Sequence, residues 1–365
     1  MFSERICPEL CPACKHRHLS EEESLSKKME FLKNKLFRWP DMIDPIRSVH
    51  GQARFNYRKK VCLHTLFNGA GWDFGMISRK QLVDISLCPV QHEPVCSTIG
   101  FLKDVLPHPE LFPMRYFIQS GKQVLLVLKT SVLPPMDWLT EHLTENLKAS
   151  GIEGFWLHLN PSAGHKIFMK HNFHLLFGRE YSRDENGLEY GPMSFQQLIP
   201  GLYADSLEEA AGFIRPDENT VVVDLYCGTG YSLQRWLSSG AATAGVELSG
   251  EAVLCCGKNV PVALVLRGRC SDRLPQLDEF AGAHSDKTRL LYINPPRTGL
   301  EKEVSDWIVN NYRPGRMAYL SCSAGTLARD LDMLCSHGYQ VLKIIPYDFF
   351  PQTIHVECLV MIAAG

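Results

Sequence analysis

From Val221 to the carboxyl end, short β-branched runs alternate with stretches whose apolar residues recur at helical spacing. That pattern predicts a parallel sheet wound with helices on both faces. Seven runs read as strands: Val221–Val223, Thr243–Val246, Val262–Leu266, Leu290–Ile293, Met317–Leu320, Leu342–Ile345 and Glu357–Ile362. Upstream the pattern changes. Val124–Lys129 and Gly154–Leu159 read as strands of a smaller α+β unit, and Ser20–Lys35 as a charged helix with Leu25, Met29 and Leu32 along one face. Gly187 and Gly191-Pro192 punctuate the chain between the two patterns, so a boundary is expected near Tyr190, giving domains 1–190 and 191–365.

Composition supports two ordinary domains: 365 residues, 45% hydrophobic and 21% charged, give enough apolar material for two cores. No apolar run reaches the roughly 18 residues a membrane span needs, and Met1–Cys11 lacks the apolar stretch of a secretion signal. A cytoplasmic, membrane-free protein is expected, and a monomer. Thirteen cysteines, an odd count without an export signal, point to reduced thiols and metal ligation rather than a disulfide framework. The net charge of −2 says nothing of a polyanionic partner, but residues 1–60 carry a local excess of five positive charges.

Three segments bear candidate chemistry. Val221-Val-Val-Asp-Leu-Tyr-Cys-Gly-Thr-Gly230 is an apolar strand entering a glycine turn ahead of a helix, the arrangement that holds a nucleotide cofactor. Gly228 and Gly230 are expected to let backbone approach the ligand, and Asp224 to position the loop or the cofactor's amino-acid part, with Tyr226 in the same loop. Glu247, after the next strand, stands where a carboxylate takes ribose hydroxyls, and the missing third glycine favours a cofactor without phosphates. For the adenine, Cys270 and Asp272 are equal candidates.

Cys322, in Tyr319-Leu-Ser-Cys-Ser-Ala-Gly325, lies at a strand's carboxyl end before a helix, whose N-terminus is expected to lower its pKa. By itself a cysteine there is more often an inert core residue. Two further segments converge on it: Asn294-Pro-Pro-Arg297, whose prolines prevent a regular helix start and whose amide suits a pyrimidine edge, and Phe349-Phe-Pro-Gln-Thr-Ile-His-Val-Glu357, which offers Glu357 as a base.

Phe195-Gln-Gln197, Asp224–Gly230, Asn294–Arg297, Ser321-Cys-Ser323 and His355-Val-Glu357 occur in the order found in the RNA (uracil-5-)-methyltransferases, the TrmA/RumA/RumB family, which the chain resembles over nearly its whole length. The resemblance implies a class I, Rossmann-like seven-stranded methyltransferase domain using S-adenosylmethionine. It implies Cys322 as nucleophile, Glu357 as the base, Phe195 as a stacking surface for a flipped-out uridine and Gln197 as a cofactor contact. Asn294 would serve both base and cofactor. Carbon 5 of uracil is a poor nucleophile, and thiolate addition at carbon 6 is what activates it. Most members carry Asp at the Asn294 position, whereas the RumB-like branch acting on 23S rRNA resembles this chain, so 23S rRNA is the expected partner. Gln197-Leu-Ile199 departs from the usual motif, and no role is carried to Ile199.

At the amino end, Cys7-x3-Cys11-x2-Cys14 predicts thiolates for a [4Fe–4S] cluster or a structural zinc, with Cys62, Cys88 and Cys96 as rival fourth ligands. The resemblance selects Cys88. The same spacing occurs in radical S-adenosylmethionine enzymes, but no strand precedes Cys7 and no barrel pattern follows. Arg54-Phe-Asn-Tyr-Arg-Lys-Lys60 is a basic stretch with interleaved aromatics, expected to grip RNA. Rival readings are a tRNA uracil-5 enzyme, an RNA cytosine-5 enzyme, and a non-catalytic RNA-binding iron–sulfur protein.

Overall fold

The computed structural model describes residues 7–365 and divides the chain into two compact units. One contains the described residues up to Lys15 together with Gly51–Leu198, the other His16–His50 with Ile199–Gly365. The expected cut near Tyr190 is therefore corrected twice. The second unit begins at Ile199, and it also takes the segment 16–50 from the amino-terminal region. That segment carries helix α1, Glu21–Lys35.

A capping box starts α1. The Ser20 hydroxyl accepts the Glu23 N–H at 3.2 Å, and the Glu23 carboxylate accepts the Ser20 N–H at 2.8 Å. Glu21–Glu23 in the first turn and Lys33 and Lys35 in the last complement the helix dipole. The buried line is Ser24, Lys28 and Leu32, so Leu25 and Met29 are only half-buried and the expected face is rotated. Its cause is electrostatic. Lys28, fully buried, meets the equally buried Asp348 at 2.5 Å and donates to the Phe350 carbonyl at 3.2 Å.

The first unit is built on a seven-stranded sheet of β1 Lys60–Phe67, β2 Trp72–Ser78, β3 Gln81–Asp84, β4 Met114–Ser120, β5 Gln123–Leu128, β6 Gly154–Leu159 and β7 Phe173–Gly178. Its order is β3-β2-β1-β4-β5-β6-β7, and every neighbouring pair is antiparallel except β5–β6. Helices α2 Glu93–Lys103 and α3 Glu141–Ala149 bury Val95, Ile99, Leu102, Leu143 and Leu147 against one face, where Val61, Leu63, Phe117, Leu126 and Leu157 meet them. The other face has no helix in its core and packs Tyr116, Ile118, Leu125 and Val127 with Ala163 and Phe173. A two-stranded ribbon, β8 Ser182–Arg183 and β9 Glu189–Tyr190, follows.

In the second unit α4 Pro200–Ile214 leads to β10 Thr220–Leu225, α5 Tyr231–Leu237, β11 Ala242–Glu247, α6 Gly250–Asn259, β12 Leu264–Arg267, α7 Leu274–Gly282, β13 Thr288–Ile293, α8 Lys302–Trp307, β14 Arg316–Ser321, α9 Ala324–Ser336, β15 Tyr339–Tyr347 and β16 Glu357–Ala364. All seven expected strands form. The third starts at Leu264, two residues late, leaving Val262 exposed. The sheet order is β12-β11-β10-β13-β14-β16-β15, the strands are parallel through β14, and β16 runs antiparallel to both its neighbours. Strand order reverses between β10 and β13, the crevice where open α/β sheets bind ligands.

Replacing Lys28 with Met leaves the Asp348 carboxylate buried and unpaired, and is expected to cost about 3–5 kcal/mol. Denaturant titration of K28M, D348L and the double variant checks this, with the double variant recovering most of the loss. Equal losses in all three would show that the pair is not what seats the helix.

Candidate functional site

The cofactor loop begins where β10 ends. Tyr226, Gly228 and Gly230 all take positive φ, at 66°, 57° and 91°. The two glycines are needed for different reasons. A Cβ on Gly228 would meet nothing within 4 Å, so its backbone faces open space, whereas one on Gly230 would stand 2.8 Å from Cys256 Sγ and 3.0 Å from Val260 Cγ2. Gly230 thus serves packing against α6 rather than the expected ligand approach.

Asp224 is fully buried, accepts the Trp236 indole N–H at 2.7 Å, and is pushed up to about 7 by burial, with bonds from Ser232 and Trp236 opposing the shift. Of the two roles expected for it, holding the loop to α5 is the one its contacts serve. Glu247 ties the loop to the next strand: its carboxylate accepts the Gly228 N–H at 3.1 Å and the Ser249 N–H at 2.7 Å. Each oxygen keeps a further lone pair for a ligand. Cys270 is buried in the core while Asp272 is exposed, so Asp272 is the accessible one of that pair.

Asn294 follows β13. Its backbone N–H donates to the Leu225 carbonyl at 3.2 Å, and its side-chain amide has no protein partner among the described residues. Cys322 follows β14. Because β16 is antiparallel, its first residue lies at the same rim as the ends of the parallel strands: Ser321 pairs with Cys358, and Glu357 stands next to it. Cys322, Ser323, Arg297, His355, Ile354 and Val356 line a hollow of about 430 Å³, whose other wall is α1 with Lys27, Lys28 and Phe31.

The electrostatics of this hollow correct one expectation. The Cys322 thiol is pushed up, not down, first by burial and then by Glu357, with Arg297 opposing. It precedes Ser323, the residue capping α9, and the helix end does not outweigh its desolvation. Glu357, buried, is itself pushed up to about 7 by desolvation, with Arg297 again opposing. Sequence reading of Asn294–Arg297 assigns Arg297 no role. The α1 wall leaves no local signal, since it comes from a segment some 300 positions earlier in the chain.

The remaining candidates belong to the first unit. Phe195 is 62% exposed and Gln197 half-buried. Cys7, Cys11, Cys14 and Cys88 interact: the Cys14 thiol is pushed up to about 12 by burial, then by Cys88, Cys11 and Cys7. Among the described residues no group of three or more His, Cys, Asp or Glu is arranged to hold a metal ion. The basic stretch 54–60 is largely committed to the fold. Arg54 and Tyr57 are buried, Lys59 pairs with Glu185 at 3.3 Å, and Lys60 donates to the Met193 carbonyl at 2.9 Å.

Residues 276–364 match the family model described as tRNA (Uracil-5-)-methyltransferase. An uncharacterized RNA methyltransferase of Clostridium tetani is 28% identical, over 96% of this chain and 80% of the relative. One from Protochlamydia amoebophila is 27% identical, over 97% and 82%. The Pyrococcus abyssi tRNA (uracil-54, C5)-methyltransferase, solved with S-adenosyl-L-homocysteine, superposes with a TM-score of 0.72 at 21% identity, over 98% of this chain and 87% of that one. That likeness establishes the fold.

Asp224 and Glu357 both hold a proton in the folded state at pH values where an unfolded carboxylate has lost it. Their contribution to stability is therefore full in acid, falls as pH rises from the ordinary carboxylate range to about 7, and is flat above. D224N removes its share of that slope. Thermal midpoints of wild type and D224N between pH 4.5 and 8 should diverge in the variant's favour as pH rises, and a constant difference would refute the buried, protonated Asp224.

Proposed function

We propose that this chain is an S-adenosylmethionine-dependent RNA (uracil-5-)-methyltransferase, which methylates carbon 5 of a uridine in 23S rRNA through a covalent Cys322 adduct. The observation that carries the mechanism is the placement of a thiol and a carboxyl group at one rim, with the carboxyl pushed up to about 7. A base with that pKa is matched to taking a carbon-bound proton near neutrality.

S-adenosylmethionine supplies an electrophilic methyl on its sulfonium. The open backbone at Gly228 and the spare lone pairs of Glu247 fit a ribose-bearing cofactor without phosphates, Gln197 and Tyr226 being its further contacts. Cys322 Sγ, as thiolate, adds to carbon 6 of the uracil. The electron pair released to carbon 5 would take the methyl group of a bound cofactor, whose sulfur would keep the S–C bonding pair and leave as the neutral thioether. Glu357 then removes the carbon 5 proton, the ring double bond re-forms, and the carbon–sulfur bond breaks, returning the thiolate. Asn294, with its amide uncommitted, holds the base edge, and Phe195 offers the exposed ring on which the flipped base stacks.

The same proposal includes a [4Fe–4S] cluster on Cys7, Cys11, Cys14 and Cys88. The Cys14 and Cys88 thiols, each pushed up by burial and then in part by neighbouring cysteines, support it. Its place is in the first unit, and no step of the methyl transfer runs through it. Iron and labile sulfide assayed on anaerobically purified protein should be present and lost in C11A or C88A; a metal-free wild type would remove the cluster from the proposal.

Transfer RNA is the second reading, favoured by the matched family model and the Pyrococcus neighbour, both named for tRNA. Asn294 supports ribosomal RNA. Mass mapping of 5-methyluridine in both RNA pools, from cells with and without the protein, separates them: a tRNA product and an unchanged rRNA overturn the ribosomal assignment.

Three outcomes test the chemistry. C322A forms no adduct with 5-fluorouridine RNA and loses at least about a thousandfold in rate, the scale of a lost nucleophile. E357Q forms an adduct with ordinary uridine RNA that persists, since methylated product cannot shed its proton. Wild-type turnover rises with pH through about 7 as Glu357 ionises. A pH-independent rate, or adducts surviving C322A, would refute these roles.

A further inference from the structure

The first unit holds a second hollow, of about 450 Å³, on the helix-free side of its sheet, where Tyr116 faces. His64 and Leu66 from β1, Ile77 from β2, Lys80, Arg115, Lys129 and the loop residues Gly164 and His165 line it, and no carboxylate does. Beyond residue 60 the chain carries a net charge of −7, so an acid-free hollow with three permanent cations is not what average composition would place there. The side chains of Lys80, Arg115 and Lys129 are exposed and have no ion-pair or hydrogen-bond partner among the described residues. The stretch 54–60 is the contrast, because its cations are largely engaged inside the fold.

Two of the three sit where the sheet departs from regularity, and the third at a strand end. Lys80 shares a two-residue hairpin turn with Arg79, between the paired Ser78 and Gln81, and both take positive φ, at 48° for Arg79 and 69° for Lys80. Turns of this kind prefer Asn-Gly. Two long cationic side chains held there carry backbone strain, which is characteristic of ligand-contacting positions. Arg115 falls at the register shift between Met114 and Tyr116, an irregularity that re-aims a side chain. Lys129 follows the last residue of β5. The floor is apolar: Leu66 and Ile77 are exposed, and the His64 ring lies against Tyr116 at 5.0 Å between centroids. The neighbouring loop continues the theme, His165-Lys-Ile-Phe-Met-Lys-His171 having no acid and exposing Phe168 and Met169.

From this geometry we propose that the hollow binds a single-stranded segment of the RNA substrate, with Lys80, Arg115 and Lys129 on successive phosphates and the apolar floor under ribose and base. Charge complementarity selects a polyanion, and the exposed apolar floor selects a strand whose bases are unpaired rather than a duplex backbone alone. The site rests on the RNA-modifying reading above but is separate from the Cys322 rim. Its role is to bind and orient, not to react.

The test uses the full-length protein and a fluorescein-labelled oligouridine, with binding followed by anisotropy across salt concentrations. Without its three cation–phosphate pairs, the K80Q/R115Q/K129Q variant should show a log Kd against log salt slope smaller in magnitude by about 2. Adduct formation at Cys322 with saturating 5-fluorouridine RNA should be unchanged. K80R/K129R, which keeps the charges, should keep the wild-type slope, and thermal unfolding confirms that both variants are folded. An unchanged slope in the triple glutamine variant overturns the site while leaving the catalytic proposal standing. A slope lowered as much in K80R/K129R overturns it too, since charge would not be the cause. A wild-type protein that binds the RNA but traps none at Cys322 defeats the catalytic reading instead.

Discussion

The antiparallel direction of β16 is the constraint on which the proposed catalytic arrangement depends. In a fully parallel sheet every strand would end at the ligand rim, and a residue at a strand's start would lie at the opposite edge. β16 is inserted between β14 and β15 and runs against both, so Glu357, the first residue of its strand, comes to the rim where Cys322 follows the end of β14. The proposed nucleophile and base, 35 positions apart, are thereby placed by paired strands rather than by flexible loops. Strand-borne groups are held more exactly than loop-borne ones, as a reaction with separate proton and carbon transfers requires.

The hollow beside that rim is completed by a helix from elsewhere in the chain. Helix α1 brings Lys27, Lys28 and Phe31 to the wall of the Cys322 hollow, and the buried Lys28–Asp348 pair holds it there. Asp348 precedes the segment that leads into Glu357. The pair therefore anchors both the helix and the approach to β16. Burying two charges costs several kcal/mol that apolar residues would not incur, and the return is a single register for α1. A leucine in place of Lys28 could slide along the apolar surface; a lysine with one carboxylate and one carbonyl to reach cannot.

Much of this is legible in the sequence, and what is not has physical causes. Six of the seven strands of the second unit, all but the edge strand β12, are largely buried and read as apolar runs, so Val221–Val223 or Met317–Leu320 can be read directly. The first unit's β1 alternates buried and exposed positions, and its exposed set includes Cys62, His64 and Leu66, which blurs polar against apolar; that strand and β2, β3, β4 and β7 escape a reading by pattern. The face of α1 is misjudged because a paired lysine occupies its buried line, and hydrophobicity cannot mark such a position. The basic stretch 54–60 misleads for the converse reason. Sequence shows charge but not which charges the fold itself consumes, and Lys59 and Lys60 are both committed. The Cys322 rim is readable because its parts lie in short motifs at strand ends, whereas the direction of its pKa shift depends on burial, which no motif reports.

In the proposed reaction the same burial sets the order of steps. Cys322 and Glu357 oppose each other as anions, since the carboxylate raises the thiol's pKa and the thiolate must by reciprocity disfavour the carboxylate. Arg297 can offset one negative charge between them more readily than two. The site is thus biased toward one anion at a time. Addition of sulfur to carbon 6 resolves the conflict: the negative charge leaves the sulfur for the pyrimidine ring and is consumed when carbon 5 takes the methyl group. Only then is Glu357 relieved of a neighbouring anion, and its ionised form, the one able to take the carbon 5 proton, becomes favourable when that proton must be removed. A carboxylate with an ordinary pKa would be charged throughout and would oppose the thiolate that starts the reaction. The desolvated position of Glu357 at the head of β16 is what keeps the nucleophile and the base from competing.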